Sequence, residues 1–104
     1  MDHELDELRR EFLVEAEEKV REMESFAEGD RPREILDRLA YLAHQLKGSG
    51  GSYGYQDIST DAAELEKAVE TLVEGSADGL DAKIRQHIGN LRTEIERGLA
   101  ELQA

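Results

Sequence analysis

Cysteine and tryptophan are absent from this 104-residue chain, and proline occurs once, at position 32. Without cysteine there is no disulfide framework and no thiolate chemistry, which fits a reducing compartment. No apolar run approaches the ~20 residues needed to span a bilayer. The opening Met1-Asp2-His3-Glu4-Leu5-Asp6 is acidic and has no apolar signal core. Positive charge is scarce: 13 basic residues face 25 acidic ones, for a formal net charge of -12. Such a surface is repelled by nucleic-acid phosphates and by anionic membranes. The expectation is one soluble, cytoplasmic domain spanning 1–104, a monomer with neither nucleic acid nor membrane as partner. The charges are interleaved with aliphatics rather than blocked, as on solvated helix faces.

What the chain does contain is helical periodicity. Apolar residues recur at steps of three and four in four blocks. The first block is Leu5, Leu8, Phe12, Ala16, Val20, Met23 and Ala27. Gly29-Asp30 breaks it, Asp30 can cap a second helix, and Pro32 suits that helix's first turn. The second block is Ile35, Leu39, Leu42, Leu46, Ser49 or Gly50, and Tyr53, with Gly54 placed to end it in a left-handed conformation. The third is Ile58, Ala62, Leu65, Val69, Leu72 and Val73, with Asp57 as its cap. Gly75 to Gly79 reads as a loop. The fourth is Leu80, Ile84, Ile88, Leu91, Ile95, Leu99 and Leu102. No strand-like alternation competes. The predicted fold is all-α, an antiparallel up-down four-helix bundle whose stripes are core.

One segment breaks the economy of these helices. His44-Gln45-Leu46-Lys47-Gly48-Ser49-Gly50-Gly51-Ser52-Tyr53-Gly54 puts four glycines, a histidine and a lysine into eleven residues of a helical pattern. Glycine in a helix interior costs roughly 1 kcal/mol relative to alanine. At about 100° per residue, His44 projects opposite the stripe that carries Leu42 and Leu46, toward water. Its neighbours on that face are Asp37, Ala40, Tyr41, Lys47, Gly48 and Gly51. Gly48 and Gly51 remove side chains that would shade the ring, and Lys47 sets a cation within one turn of it. An anion attached to the imidazole would meet a positive partner there.

These residues resemble the signature of the histidine-containing phosphotransfer domain of bacterial phosphorelays: His, a variable residue, an aliphatic, Lys, Gly, then small residues leading to a Gly. Here the pattern is His44-Gln45-Leu46-Lys47-Gly48-Ser49, continuing to Gly54. Tyr55-Gln56-Asp57-Ile58 and Leu65-Glu66 are similar to the family's next helix. Phe12-Leu13-Val14-Glu15-Ala16-Glu17-Glu18 resembles the opening of the phosphotransfer domain of chemotaxis-type kinases. The specific motif covers residues 40 to 66.

The resemblance implies that His44 accepts a phosphoryl group from an aspartyl phosphate of a receiver domain and passes it to another receiver aspartate. It implies that Lys47 stabilises the phosphoryl charge and Gly48 leaves room for phosphate and partner. The implied partners are response-regulator receivers or a hybrid histidine kinase. No cofactor is implied for this chain, since magnesium is expected only in the receiver's acidic pocket. The chain would be a carrier without a nucleotide site, not an enzyme. Docking would use the face around His44: Ala40, Tyr41 and Gly51, with Val14 as an off-stripe apolar residue on the first helix. Two other readings stand beside this one. The chain could be a phosphorylatable substrate domain excised from a larger histidine kinase, chemotaxis-type or hybrid. It could equally be an acidic helical adaptor whose His44 is never phosphorylated.

Other constellations fail on spacing. Lys47 precedes the glycines, so the phosphate-loop order is wrong, and Tyr53 occupies the last glycine position of a dinucleotide fingerprint. His3, His44 and His87 lie in separate blocks with no second histidine at i+4, so no metal site is expected. His87 reads as a boundary histidine beside Ile88. Glu17-Glu18 and Glu64-Glu66 read as solvated helix faces.

Overall fold

The computed structural model describes residues 3–27, 31–75 and 79–103. It is all-helical, with α1 (His3–Ser25), α2 (Arg33–Ser52), α3 (Gln56–Val73) and α4 (Leu80–Gln103), and no strand among the described residues. Each helix packs on its sequence neighbours, and α1 also packs on α4, closing a ring around one apolar core. The rod measures 49 × 21 × 20 Å. The α2–α3 seam is the most extensive and α1–α2 the thinnest.

The core follows the sequence stripes with a few shifts of phase. Leu39, Leu42, Leu46, Ile58, Ala62, Leu65, Val69, Leu80, Ile84, Ile88, Leu91 and Ile95 are buried as expected. In α1, Phe12, Ala16, Val20 and Met23 are buried, but Leu5 and Leu8 are exposed and Leu13 is fully buried instead. The cause is the reach of α4. Arg10 Nη2 donates to the carbonyl oxygen of Leu102, in the last turn of α4. Residues before Arg10 therefore have little of α4 to pack against. Further along, Leu13 meets α4 at Gly98, where a Cβ would sit 3.0 Å from Leu13 Cδ1. At the start of α2, Leu36 is buried and Ile35 only half-buried. Leu72, Val73, Leu99 and Leu102 line the ends of the core, partly covered.

The connections decide where α2 and α3 begin and end. Pro32 stands at the N-cap of α2, one residue before the first turn, and its carbonyl accepts from the N–H groups of Ile35 and Leu36 at 3.0 and 3.1 Å. The expected cap Asp30 lies outside the described residues. Gly54 has a φ of +84°, a left-handed turn as expected. Tyr55 N–H then returns to the Gly50 carbonyl at 2.8 Å. This tight return starts α3 earlier than the expected cap, so Tyr55 holds the N-cap position and Asp57 lies inside the first turn. There its charge still complements the helix N-terminus. Tyr53 and Tyr55 both stack near Phe12, with ring centroids 5.2 and 5.8 Å away, fixing the connection onto α1. Between α3 and α4, Gly75 and Gly79 both adopt positive φ.

Candidate functional site

His44 lies mid-helix on the solvent side of α2, its side chain 65 % exposed. Leu42, Ala43 and Leu46 on the opposite side are buried and fix the rotation of the helix. The imidazole is nonetheless held. Its Nδ1 lies 2.9 Å from Oε2 of Glu66, on α3. The other oxygen of the same carboxylate, Oε1, accepts from Lys47 Nζ at 2.7 Å. Glu66 is only 15 % exposed. Burial alone would raise its carboxyl, but the hydrogen bonds from Lys47 and His44 outweigh that and hold it below the ordinary glutamate value. Glu66 is therefore an anion around neutral pH. An anionic oxygen has no hydrogen to give, so Nδ1 carries one, and it is Nε2 that holds the lone pair whenever the ring is neutral.

Glu66 is the residue that the sequence did not single out. Its pairing with Glu64 reads as a solvated face, and the structure overturns this for Glu66. It flanks the α3 stripe at Leu65 and turns to α2 rather than to water. Glu64 is exposed.

The glycines divide into two kinds. At Gly48 a Cβ would meet nothing within 4 Å, so the space beside His44 is open. At Gly50 a Cβ would lie 3.2 Å from Ser59 N, 3.3 Å from Ile58 Cγ2 and 3.4 Å from the Tyr55 carbonyl oxygen. Gly50 is thus a packing glycine that lets α3 start against α2. Gly51 is exposed, yet a Cβ there would contact Ser59 Oγ at 3.6 Å, so it serves the seam as well as the open face. Ser59 Oγ also donates to the Lys47 carbonyl oxygen at 2.8 Å, tying the backbone of the site to α3.

Of the residues expected around the ring, Ala40 is half-buried against the core and Tyr41 is 52 % exposed. Gln45 Nε2 donates to the Tyr41 hydroxyl at 2.8 Å. The Arg38 guanidinium lies 5.6 Å from the centre of the Tyr41 ring, and Glu22 of α1 holds it at 2.6 and 3.0 Å. Val14 is 45 % exposed on α1. Its neighbour Glu15 lines one shallow groove with Tyr41 and Gln45. The structure thus brings His44, Lys47 and Gly48 together and keeps Tyr41 on the same helix, while Val14 lies apart, on an outer patch of α1 with Glu7, Arg10, Glu11 and Glu15.

The remaining histidines lie elsewhere. His3 begins α1, and His87 of α4 is largely buried, with Nδ1 2.8 Å from Asp61 Oδ1. Among the described residues no group of His, Asp and Glu is arranged to hold a metal ion. No described helix is long and apolar enough to cross a membrane.

No curated protein and no solved structure matches the chain significantly. The family model described as the Hpt domain matches residues 7–104, essentially the whole length, and the chain belongs to the Hpt domain family.

Proposed function

We propose that this Hpt domain carries a phosphoryl group on Nε2 of His44, accepting it from the aspartyl phosphate of a receiver domain and returning it to another receiver aspartate. The supporting observation is an open ring face combined with an anchored inner nitrogen: His44 is exposed beside the space at Gly48, while Nδ1 is held by Glu66.

The chemistry follows from that placement. The Nε2 lone pair attacks phosphorus, the phosphorus–oxygen bond to the acyl group breaks, and the aspartate leaves as a carboxylate. Nε2 has no proton to lose in the step. The ring keeps its Nδ1 hydrogen and becomes cationic, and the Glu66 carboxylate offsets the new charge. The same cationic ring is a good leaving group in the return step. Charge spreads over the phosphoryl oxygens in the transition state, so positioning and electrostatics supply most of the catalysis. Lys47, one turn along α2, supplies a cation that swings from Glu66 to those oxygens. Magnesium, in this proposal, stays in the receiver's acidic pocket.

Docking uses the α1–α2 side of the ring, with Tyr41 and Val14 as apolar anchors and Ala40 and Gly51 as the close-approach surface. Cross-helix pairs support an antiparallel up-down bundle as the scaffold. Arg92 of α4 binds Glu24 of α1 while Arg10 reaches Leu102, and Glu66 faces His44 while Ser59 faces Lys47. The carrier acts as a cytoplasmic monomer.

The test is incubation with phosphorylated receivers. Label on His44 that resists alkali, is lost in acid and is absent from His44→Gln is the expected result. An absence of transfer from every receiver of the source organism would instead leave an acidic helical adaptor.

A further inference from the structure

A second ionisable cluster lies on the far side of α3, away from His44. Asp61 of α3 points into the α3–α4 seam and is largely buried. Its Oδ1 accepts from His87 Nδ1 at 2.8 Å and from Asn90 Nδ2 at 3.1 Å. Glu94 follows Asn90 by one turn of α4, on the side of the helix that faces the same aspartate. The Glu94 oxygen Oε1 is buried and has no hydrogen-bonding partner in the protein. An ionised Glu94 would thus hold a buried oxygen without a donor, beside the carboxylate of Asp61, an arrangement that burial makes costly. A protonated Glu94 needs no donor and can give its hydrogen to Asp61.

We propose that Asp61 and Glu94 share one proton across the α3–α4 seam, and that losing it loosens the start of α3. Around the pair stand Asp57 on α3, and His87 and Arg97 on α4. Tyr55 and Glu101 line the shallow cavity beside Glu94. The α1 carboxylates that face α4, Glu17 and Glu24, are engaged by Arg92. Arg97 is a cation beside Glu94, and it leans on Asp57 at 3.9 Å. Burial first, then the Asp61 carboxyl and the Asp57 charge, push the Glu94 acid up to about 8, against the pull of Arg97. Asp61 moves the other way: burial would raise it, but hydrogen bonds from Glu94, His87 and Asn90 keep it ionised.

The location gives the proton its consequence. Asp61 lies between Ile58 and Ala62, both fully buried, and two residues from Ser59, which holds the Lys47 carbonyl. The first turns of α3 are thus bound on one side to the phosphoacceptor helix and on the other to this acid pair. With Glu94 ionised, two adjacent carboxylates repel across the seam and the α3 N-terminal half opens more often. Because the folded-state value is raised above the ordinary 4.5, the stabilisation is full below that value and declines as pH rises toward about 8.

The experiment is a side-chain carboxyl carbon titration of the intact protein by NMR, paired with melting curves from pH 6 to 9. The expected Glu94 midpoint is near 8. The wild-type melting temperature should fall by about 4 °C or more across the range. In Glu94→Gln, which keeps an amide donor for Asp61, the profile should flatten and lie above wild type at pH 9. The protection of the amides of residues 56–62, taken relative to the base-catalysed intrinsic rate at each pH, should fall with pH in wild type only. A Glu94 midpoint in the ordinary carboxylate range, or the same pH profile in Glu94→Gln as in wild type, overturns the proposal. Should Glu94→Gln fail to fold, the wild-type titration alone decides.

Discussion

Glu66 Oε2 lies 2.9 Å from His44 Nδ1, joining the centre of α3 to the middle of α2 across twenty-two positions of sequence. That one contact sets which nitrogen of the imidazole faces solvent, and it shares its carboxylate with Lys47. The His44 imidazole and the Lys47 ammonium are therefore oriented by a third group on a different helix.

Glu66→Gln removes the charge while keeping the side-chain shape. The ring loses the anion that fixes its Nδ1 hydrogen and that, in the proposed transfer, offsets its positive charge. A hydrogen bond to a charged partner contributes about 1.5–3 kcal/mol, so transfer should slow by about tenfold or more. Nitrogen-15 spectra of the ring should show both tautomers populated. A single unchanged tautomer with an unchanged rate would remove Glu66 from the mechanism.

Lys47→Ala should leave the fold nearly intact, since a partly exposed ion pair adds no more than about 1 kcal/mol. Glu66 then has only His44 as partner, so the tautomer is retained. Transfer should slow several-fold and the phosphohistidine should hydrolyse at an altered rate, because in the proposed mechanism Lys47 is the cation that meets the phosphoryl oxygens. Stopped-flow transfer kinetics and phosphohistidine half-life check both effects. Rates equal to wild type would leave Lys47 with only its bond to Glu66.

On the proposed docking face, Tyr41→Ala and Val14→Asp should act on receiver binding rather than on chemistry. Both residues are about half exposed, so stability should change by no more than about 0.5 kcal/mol. A truncated aromatic anchor commonly removes about 1–2 kcal/mol of binding, which is roughly a 5- to 30-fold weaker receiver affinity. The single-turnover rate at saturating receiver should stay near wild type. A loss in that saturated rate instead would place these residues in the chemical step.

On the acid side the sign reverses from that of Glu94. Glu66, Glu22 and Glu24 all have carboxyls held below the ordinary value, net of burial, by Lys47 and His44, by Arg38 and by Arg92 respectively. Each contributes stability that is present above about 4.5 and is lost as pH falls through its folded-state value. Melting temperature should thus drop steeply below that point. Glu66→Gln, having no such proton to gain, should show a shallower acid slope than wild type.

How much of this was legible in sequence depends on the distance between partners. His44, Lys47 and Gly48 stand three and four residues apart, so helical rotation alone places them together. Gly54 signals its left-handed turn by its identity. Glu66 carries a weaker signal, its place beside Leu65 in the segment similar to the family's next helix. It is one of 25 acids, and its selection depends on the rotation of α3 against α2, which two independent wheels do not fix. The cue was its position beside Leu65, on the flank of a stripe rather than opposite it. Leu5, Leu8 and Leu13 went astray for a similar reason. Periodicity finds the buried face of α1, but the length of core that α4 offers it is a tertiary fact.

The glycines of the motif supply the sharpest contrast, because the same substitution at two nearby positions should act in opposite directions. At Gly48 a methyl group enters open space, so Gly48→Ala gains helix propensity and should stabilise the domain by up to about 1 kcal/mol. At Gly50 the methyl meets the Ser59 backbone nitrogen at 3.2 Å and the Tyr55 carbonyl at 3.4 Å. Those are backbone atoms of the α3 start, fixed by the return of Tyr55 N–H to Gly50, and they yield only by moving the helix. Overpacking of that kind costs about 1–3 kcal/mol, enough to exceed the propensity gain. Gly50→Ala should therefore lower the melting temperature while Gly48→Ala raises it. Activity should sort the other way at larger size: Gly48→Leu should remain folded, with transfer blocked by crowding at the ring. Gly48→Leu that transfers at the wild-type rate would show that the open space beside His44 is not needed for phosphoryl entry.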